Sequence, residues 1–268
     1  MEAFYISVWV LAGICFITWL LSVITGDTSW VDRIWSVIPV VYVWIFAAGT
    51  NFADPRLIVM GIIVTLWGAR LTFNFARKGG YQPGGEDYRW EVLRAGMSKA
   101  QYQVFNIFFI VIFQNVVLWL ITLPAWVVMI NPGPFTGWDT ALTVLFLAFL
   151  TWETVADQQQ WNFHKRKAAA IAAGKKPESN FCTRGLFSVS RHPNFFAEQS
   201  QWWTFLFFAV AAGASLIQLW VVVGPILLTA IFIGSTRFTE NISLSKYPEY
   251  ADYQKRVSPV VPWFPRRG

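Results

Sequence analysis

The chain has 268 residues, of which 55% are hydrophobic, 18% aromatic and only 13% charged, and its mean hydropathy is +0.44. An ordinary soluble domain carries roughly 25% charged residues, so this composition excludes one and indicates an all-α integral membrane protein. The net charge of +6 would suit nucleic acid, but the bases are segregated by loop and form no nucleic-acid module, which is a pattern of membrane topology.

A crossing needs ~20 apolar residues, and the hydropathy pattern predicts seven helices at about 4–24, 31–48, 57–76, 103–130, 139–158, 195–212 and 216–236. The first run, Phe4 to Ile24, has no Lys or Arg before it and no small-residue cleavage site after it, so it reads as a retained span rather than a signal peptide. Short turns rich in Gly, Pro, Asn or Asp join most spans. Two connections are long, about 77–102 and 159–193, and a polar tail follows Arg237. No polar linker, low-complexity segment or internal repeat divides the chain, which reads as a single domain over 1–268. Of the 21 Lys and Arg residues, Arg56 alone falls in a loop on the opposite face and Arg70 lies inside a span. The other bases share the face of the long loops, which the positive-inside rule makes cytosolic. The predicted architecture is therefore a seven-transmembrane helix bundle, with the N-terminus outside, the C-terminus cytosolic and the chemistry open to the cytosol.

Asp32 and Arg33 open the second predicted span. Ser29 as a cap, Asp32 at the positive end of the helix dipole and Arg33 snorkelling to headgroups account for them as well as a catalytic acid does. Arg70 and Asn74 form an i,i+4 pair near the cytosolic end of the third span; the arginine can snorkel or aim a fixed charge at a phosphate or carboxylate. The following loop combines Gly and Pro with Glu86, Asp87, Tyr88 and Arg89, but its spacing matches neither a dinucleotide fingerprint nor a Walker loop.

Glu153, Asp157, Trp161 and Lys165 recur every four residues at the end of the fifth span, and a stripe carrying two acids does not suit a lipid-facing surface. The basic cluster Lys165, Arg166, Lys167, Lys175 and Lys176 suits anionic headgroups as well as a nucleotide phosphate. His164 and His192 are the only histidines, and Cys15 and Cys182 lie far apart, so neither a metal site nor a disulfide framework is supported. The stretch NFCTRGLFSVSRHPNFFAEQSQWW, from Asn180 to Trp203, passes from a basic loop into an apolar segment while carrying Arg184, Arg191, His192, Asn194 and Glu198. Asn194 and Glu198 share one helical face. A carboxylate one turn inside an apolar run is expensive unless it faces a cavity or a partner, so Glu198 is either a ligand group or half of an interhelical bond. Arg237 and Glu240 share a face at the end of the last span, where they can pair with each other or serve a ligand.

With TRGLF before SRHPNFFAE, WETVADQQQWNFH upstream and EYADYQKRVSPVVPWF at the end, the sequence resembles the steroid 5α-reductase superfamily, and within it a poorly characterised bacterial branch. The resemblance covers the chain from about Asp32 onward. It implies a seven-helix bundle binding NADPH at its cytosolic side, with hydride passing to an activated C=C bond of a lipidic enone. By this resemblance Asp157, Asn194 and Glu198 match the family's cofactor-binding acid, Asn and Glu. Trp161, Lys165, Arg184, Arg191, His192, Arg237 and Glu240 join them as candidate cofactor contacts. Asp32, Arg70 and Tyr88 are the candidate catalytic residues. Asp32 falls where the steroid enzymes carry a substrate-polarising Glu, Val31 stands where they have Gln, and their third-span tyrosine has no match, Trp67 lying near that place. The implied partners are a lipidic substrate and membrane lipids, and the implied location is a bacterial inner membrane, or the endoplasmic reticulum in a eukaryote. The S-adenosylmethionine-dependent isoprenylcysteine carboxyl methyltransferases share the Arg-His-Pro segment and the helix with an acid, and a non-catalytic lipid-binding or scaffold membrane protein would keep a degenerate pocket.

Overall fold

In the computed structural model, residues 1–215 and 217–266 are described, and every regular element among them is helical. Leu216, where the seventh span was expected to begin, lies outside the described residues. Among the described residues five helices are long and apolar enough to cross a membrane: Glu2–Thr25, Pro55–Arg77, Lys99–Ile130, Gly137–Ala172 and Gln218–Lys246.

Several boundaries differ from the hydropathy pattern, each for a local reason. The second predicted span divides into α2 (Trp30–Ile34) and α3 (Ile38–Ala48) after α1 (Glu2–Thr25), because Pro39 opens α3 at its first turn. The 11 residues of α3 extend only ~16 Å at 1.5 Å per residue. α4 (Pro55–Arg77) is uninterrupted, with Asp54 accepting from the Arg56 and Leu57 amides as its N-cap. The long connection that follows contains α5 (Tyr88–Ala95). The fourth predicted span is composite: α6 (Lys99–Phe105), a π-helical stretch Asn106–Phe113, α7 (Gln114–Leu120) and α8 (Leu123–Ile130), with Pro124 at the restart. α9 (Gly137–Ala172) continues well past the apolar run through its alanine-rich end, so Lys165, Arg166 and Lys167 stand on a helix rather than in a loop. α10 (Pro193–Ala211) has 19 residues, but its polar first half keeps it out of the purely apolar class. α11 (Val223–Lys246) carries Arg237 and Glu240 within it, and α12 (Tyr250–Arg256) follows Pro248.

The chain packs as two compact units, residues 1–144 with 203–228, and residues 145–202 with 229–268. In the first unit the burial pattern of α1 is inverted relative to a soluble helix. Its buried residues are Ala3, Ser7, Thr18 and Ser22, whereas Trp9 is 77% exposed and Ile24 70%. The hydroxyls receive side chains from the composite helix: Trp119 Nε1 donates to Ser7 at 3.0 Å, Asn115 Nδ2 to Thr18 at 3.4 Å and Asn106 Nδ2 to Ser22 at 2.9 Å. Helices that associate in lipid use small residues and interhelical hydrogen bonds in this way. α3 and α4 also approach closely. A Cβ on Gly68 would lie 2.4 Å from the Ser36 carbonyl oxygen, and the Ser36 and Thr72 hydroxyls bond at 2.7 Å.

Arg56, the lone base on its face in the sequence pattern, is buried with Asp139 in a two-pronged ion pair that joins the start of α4 to the start of α9. Pro134 O accepts from the same guanidinium at 3.0 Å, and the Thr136 amide and hydroxyl donate to Asp139. Removing one partner strands the other charge, so Arg56→Ala should cost about 3–5 kcal/mol, whereas Arg56→Met with Asp139→Leu should be close to neutral. Thermal unfolding of the detergent-solubilised variants checks both.

Candidate functional site

In the second unit, α9 and α10 carry acids into apolar surroundings. Glu153, Asp157 and Glu198 are each only 4% exposed. Gln201 Nε2 donates to Glu153 Oε2 at 2.7 Å, and Trp202 Nε1 donates to Glu198 Oε1 at 3.1 Å. Asn194 is half-buried in the first turn of α10, so the face predicted from the four-residue spacing forms, with Glu198 one turn deeper. Trp161 is half-buried one turn beyond Asp157, and Lys165 Nζ lies 5.3 Å from its ring centre.

Three groups here were not singled out from sequence. Trp152 Nε1, Gln201 Oε1 and Thr236 Oγ1 are buried without a hydrogen-bond partner among the described residues, and all three residues belong to this unit. A buried polar group left unpaired is costly, so each marks a place for a polar group of a ligand or water. The only sequence signal for Gln201 and Thr236 is a polar residue interrupting an apolar run.

The segment leading into α10 is held by contacts of long sequence separation. Gly185 adopts φ +65, a left-handed conformation that glycine tolerates, and the Leu186 amide donates to Gln159 Oε1 on α9 at 2.9 Å. The Arg191 and His192 amides donate to Ser258 O at 2.8 Å and Pro259 O at 3.1 Å, and the Trp263 amide returns to Val189 O at 2.9 Å. The Ser190 hydroxyl bonds Val260 O at 2.6 Å. The carboxyl-terminal motif thus clamps the Arg-His-Pro-Asn turn.

Arg191 is the fastener. Its Nε and Nη2 bond Glu240 Oε1 and Oε2 at 2.6 and 3.0 Å, and Nη1 bonds the carbonyls of Gln254 and Val257. His192 Nε2 at 3.1 Å, Gln254 Nε2 at 2.8 Å and the Tyr250 hydroxyl at 3.4 Å complete the shell of Glu240. The Arg237–Glu240 pairing allowed by their spacing is therefore not the one Glu240 makes, because Arg191 offers a bidentate fork; Arg237 is exposed. Arg184 is exposed too, and pairs with Glu178. Of the candidate cofactor contacts, Arg191, His192 and Glu240 interlock with one another, while Asp157, Asn194 and Glu198 occupy the α9 and α10 faces.

In the first unit, residues 78–98 fold back onto α2. The Thr28 amide and hydroxyl both donate to Glu86 Oε1, at 2.9 and 2.8 Å, and the Asp87 amide donates to Ser29 Oγ at 2.9 Å. Ser29 accordingly makes no side-chain cap of α2. Arg33 pairs with Asp27 at 2.6 Å and reaches Gly80 O at 3.2 Å, so it turns to the protein rather than outward. Asp32 Oδ2 accepts from Trp90 Nε1 at 2.8 Å. The α2 segment connects α1 to α3 and is not among the helices long and apolar enough to cross a membrane; there burial pushes the Asp32 carboxyl up, against the pull of the Arg89 charge and the Trp90 indole. Tyr88 is 50% exposed at the start of α5, its hydroxyl pushed up by burial and the Asp87 charge. Arg70 is half-buried on α4, Asn74 accepts from Arg77 Nε at 2.9 Å, and Trp67 is fully buried where the resemblance would want a tyrosine.

A family model described as a protein of unknown function, DUF1295, matches residues 18–257. The chain belongs to this family. DUF1295 is a membrane protein family, in keeping with the apolar helices. An uncharacterized protein of Schizosaccharomyces pombe is 38% identical over 265 residues, spanning 92% of this chain and 76% of the yeast protein. No solved structure matches the chain.

Arg191→Ala in this DUF1295 protein should lower stability by about 3–5 kcal/mol, since it leaves Glu240 and two carbonyls short of donors. Arg191→Lys should recover little of that, because one ammonium cannot reproduce the fork; unfolding midpoints measure both. Asp32 has a raised folded-state pKa, so its contribution to stability is present below ~3.9 and is lost as pH rises through the folded value. Asp32→Asn should therefore raise the unfolding midpoint relative to the parent increasingly as pH is taken from 4 to 8; a constant offset between the two curves would contradict this.

Proposed function

We propose that the protein is an NADPH-dependent membrane reductase of the steroid 5α-reductase type, transferring hydride to the activated C=C bond of a steroid-like or other lipidic enone. In this reading α3 and α10 join the five long apolar helices to make seven crossings of a single reductase domain. The N-terminus is outside, the C-terminus is cytosolic, and the site opens to the cytosol from a bacterial inner membrane or the endoplasmic reticulum.

The observation that carries the reading is the set of buried acceptors in the second unit: the carboxylates of Asp157 and Glu198 and the unpartnered Gln201 Oε1 and Thr236 Oγ1. Ribose hydroxyls and a carboxamide are donors, so these acceptors fit a nicotinamide nucleotide, as does the Asn194 amide beside them in sequence. NADPH, when bound, supplies the hydride. Asp157 and Glu198 accept from it, Asn194 orients it, and Lys165 and Arg184 add positive charge suited to a phosphorylated ribose. The Arg191–Glu240 clamp positions the turn that bears Asn194. In the first unit, Trp90 donates to Asp32 Oδ2, and the Asp32 carboxyl, kept protonated by its burial, would be the donor to a developing enolate oxygen. Tyr88 and Arg70 are the further candidates to polarise the substrate.

Thermal unfolding with NADPH, NADH or S-adenosylmethionine tests the reading, because a ligand at ~100 times its dissociation constant stabilises by ~2.7 kcal/mol. NADPH should raise the midpoint of the parent, and Glu198→Gln or Asn194→Ala should abolish the shift while the protein stays monodisperse. A shift with S-adenosylmethionine instead would move the chain to the isoprenylcysteine carboxyl methyltransferase type. An Asp32→Asn variant that binds NADPH and turns over enones unchanged would remove Asp32 from the chemistry.

A further inference from the structure

A cavity of about 380 Å³ lies in the first unit, lined by α1 and the α1–α2 turn (Ser22, Val23, Gly26, Thr28) and by the α5–α6 region (Arg94, Met97, Lys99, Tyr102, Gln103). The residues assigned to reduction do not line it. Its volume falls within the ~300–1,000 Å³ of ligand sites.

Its chemistry is lopsided. Two cations, Arg94 and Lys99, line it, and no carboxylate does. Arg94 is held in place from behind, with Nη2 bonding Glu86 Oε1 at 2.6 Å and its guanidinium 4.9 Å from the ring centre of Tyr102. The Tyr102 hydroxyl is in turn bonded to Thr28 Oγ1 at 2.8 Å. Both Glu86 and Tyr102 engage Nη2, so among the described residues the Arg94 Nε and Nη1 donors are uncommitted. An arginine fixed by such a frame gives up little rotamer freedom when it meets a phosphate.

The surroundings identify what kind of molecule fits. α1 ends at Thr25 and the composite helix begins at Lys99, so the cavity sits where two crossing helices leave the apolar layer. Exposed apolar side chains run away from it along both: Leu20, Val23 and Ile24 on α1, and Val104 and Phe108 on the facing helix. A ligand with an anionic head at the cations and acyl chains along these faces satisfies both halves. We infer that this cavity binds the phosphate-bearing head of an anionic glycerophospholipid, one molecule per protein. A zwitterionic head brings a cationic amine for which the cavity has no carboxylate, so the site discriminates against phosphatidylcholine.

The test is native mass spectrometry of the full-length protein released from nanodiscs of equal phosphatidylglycerol and phosphatidylcholine. The parent should retain one phosphatidylglycerol in preference to phosphatidylcholine. Lys99→Gln should weaken that retention about fivefold and Lys99→Gln with Arg94→Gln about 25-fold, at roughly a fivefold loss per cation. Val23→Trp, which fills the cavity without touching a charge, should abolish it, and Lys175→Gln with Lys176→Gln should leave it intact. Equal retention of the two lipids overturns the inference, as does a preference that survives both Val23→Trp and the double variant. Displacement by soluble glycerol phosphate with no lipid preference would show a free phosphate-ester site and overturn it as well. The NADPH shift is read separately, so failure of the reductase reading leaves this test unaffected.

Discussion

Inside an apolar layer each polar group must find its partner within the protein, and this constraint governs most of the structure. With no water to fall back on, an unsatisfied group costs several kcal/mol. The helices answer by turning inside out relative to a soluble bundle. α1 hides Ser7, Thr18 and Ser22 and shows Trp9 and Ile24, and Arg56 is held at 1% exposure by Asp139 and Pro134 O, with the Thr136 amide and hydroxyl donating to Asp139 in turn. Where apolar burial gives little preference between neighbours, such bonds fix which helix lies against which.

The same constraint separates two kinds of buried charge in the second unit. Glu240 is saturated: Arg191, His192, Gln254 and Tyr250 surround it, and the group acts as a rivet between α11, the Arg-His-Pro-Asn turn and the carboxyl-terminal segment. Gln201 and Thr236 are the opposite case, each with a buried oxygen that has no hydrogen-bond partner among the described residues. On the proposed reading, that contrast assigns the oxygens on α10 and α11 to a ligand and Arg191, the arginine most conspicuous in the motif, to architecture.

The first unit shows how a loop becomes part of a site. Glu86 and Asp87 fasten to Thr28 and Ser29, which brings Trp90 onto Asp32 and turns Arg94 toward the cavity beside α1. One strip of acids therefore positions both Asp32 and the arginine that lines the cavity beside α1. A change there would be felt in both, through positioning rather than direct contact.

Composition and periodicity by themselves determined that the chain is helical and apolar enough for a membrane, and the four-residue spacings of Asn194 with Glu198 and Glu153 with Asp157 determined which side chains share a face. Those properties are local, set by 3.6 residues per turn and by side-chain polarity. The tertiary structure decided the rest. Hydropathy cannot see that Pro39 separates α2 from α3, nor that α9 continues through its basic end, because both depend on backbone donors and helix propensity rather than on apolarity. Nor can spacing choose between Arg237 and Arg191 as the partner of Glu240: the i,i+3 neighbour was available, but a guanidinium 49 positions away in sequence presented a fork with better geometry. Contacts of that range are made only when the folded chain brings distant segments together, and they decide which of the charged residues pair with one another.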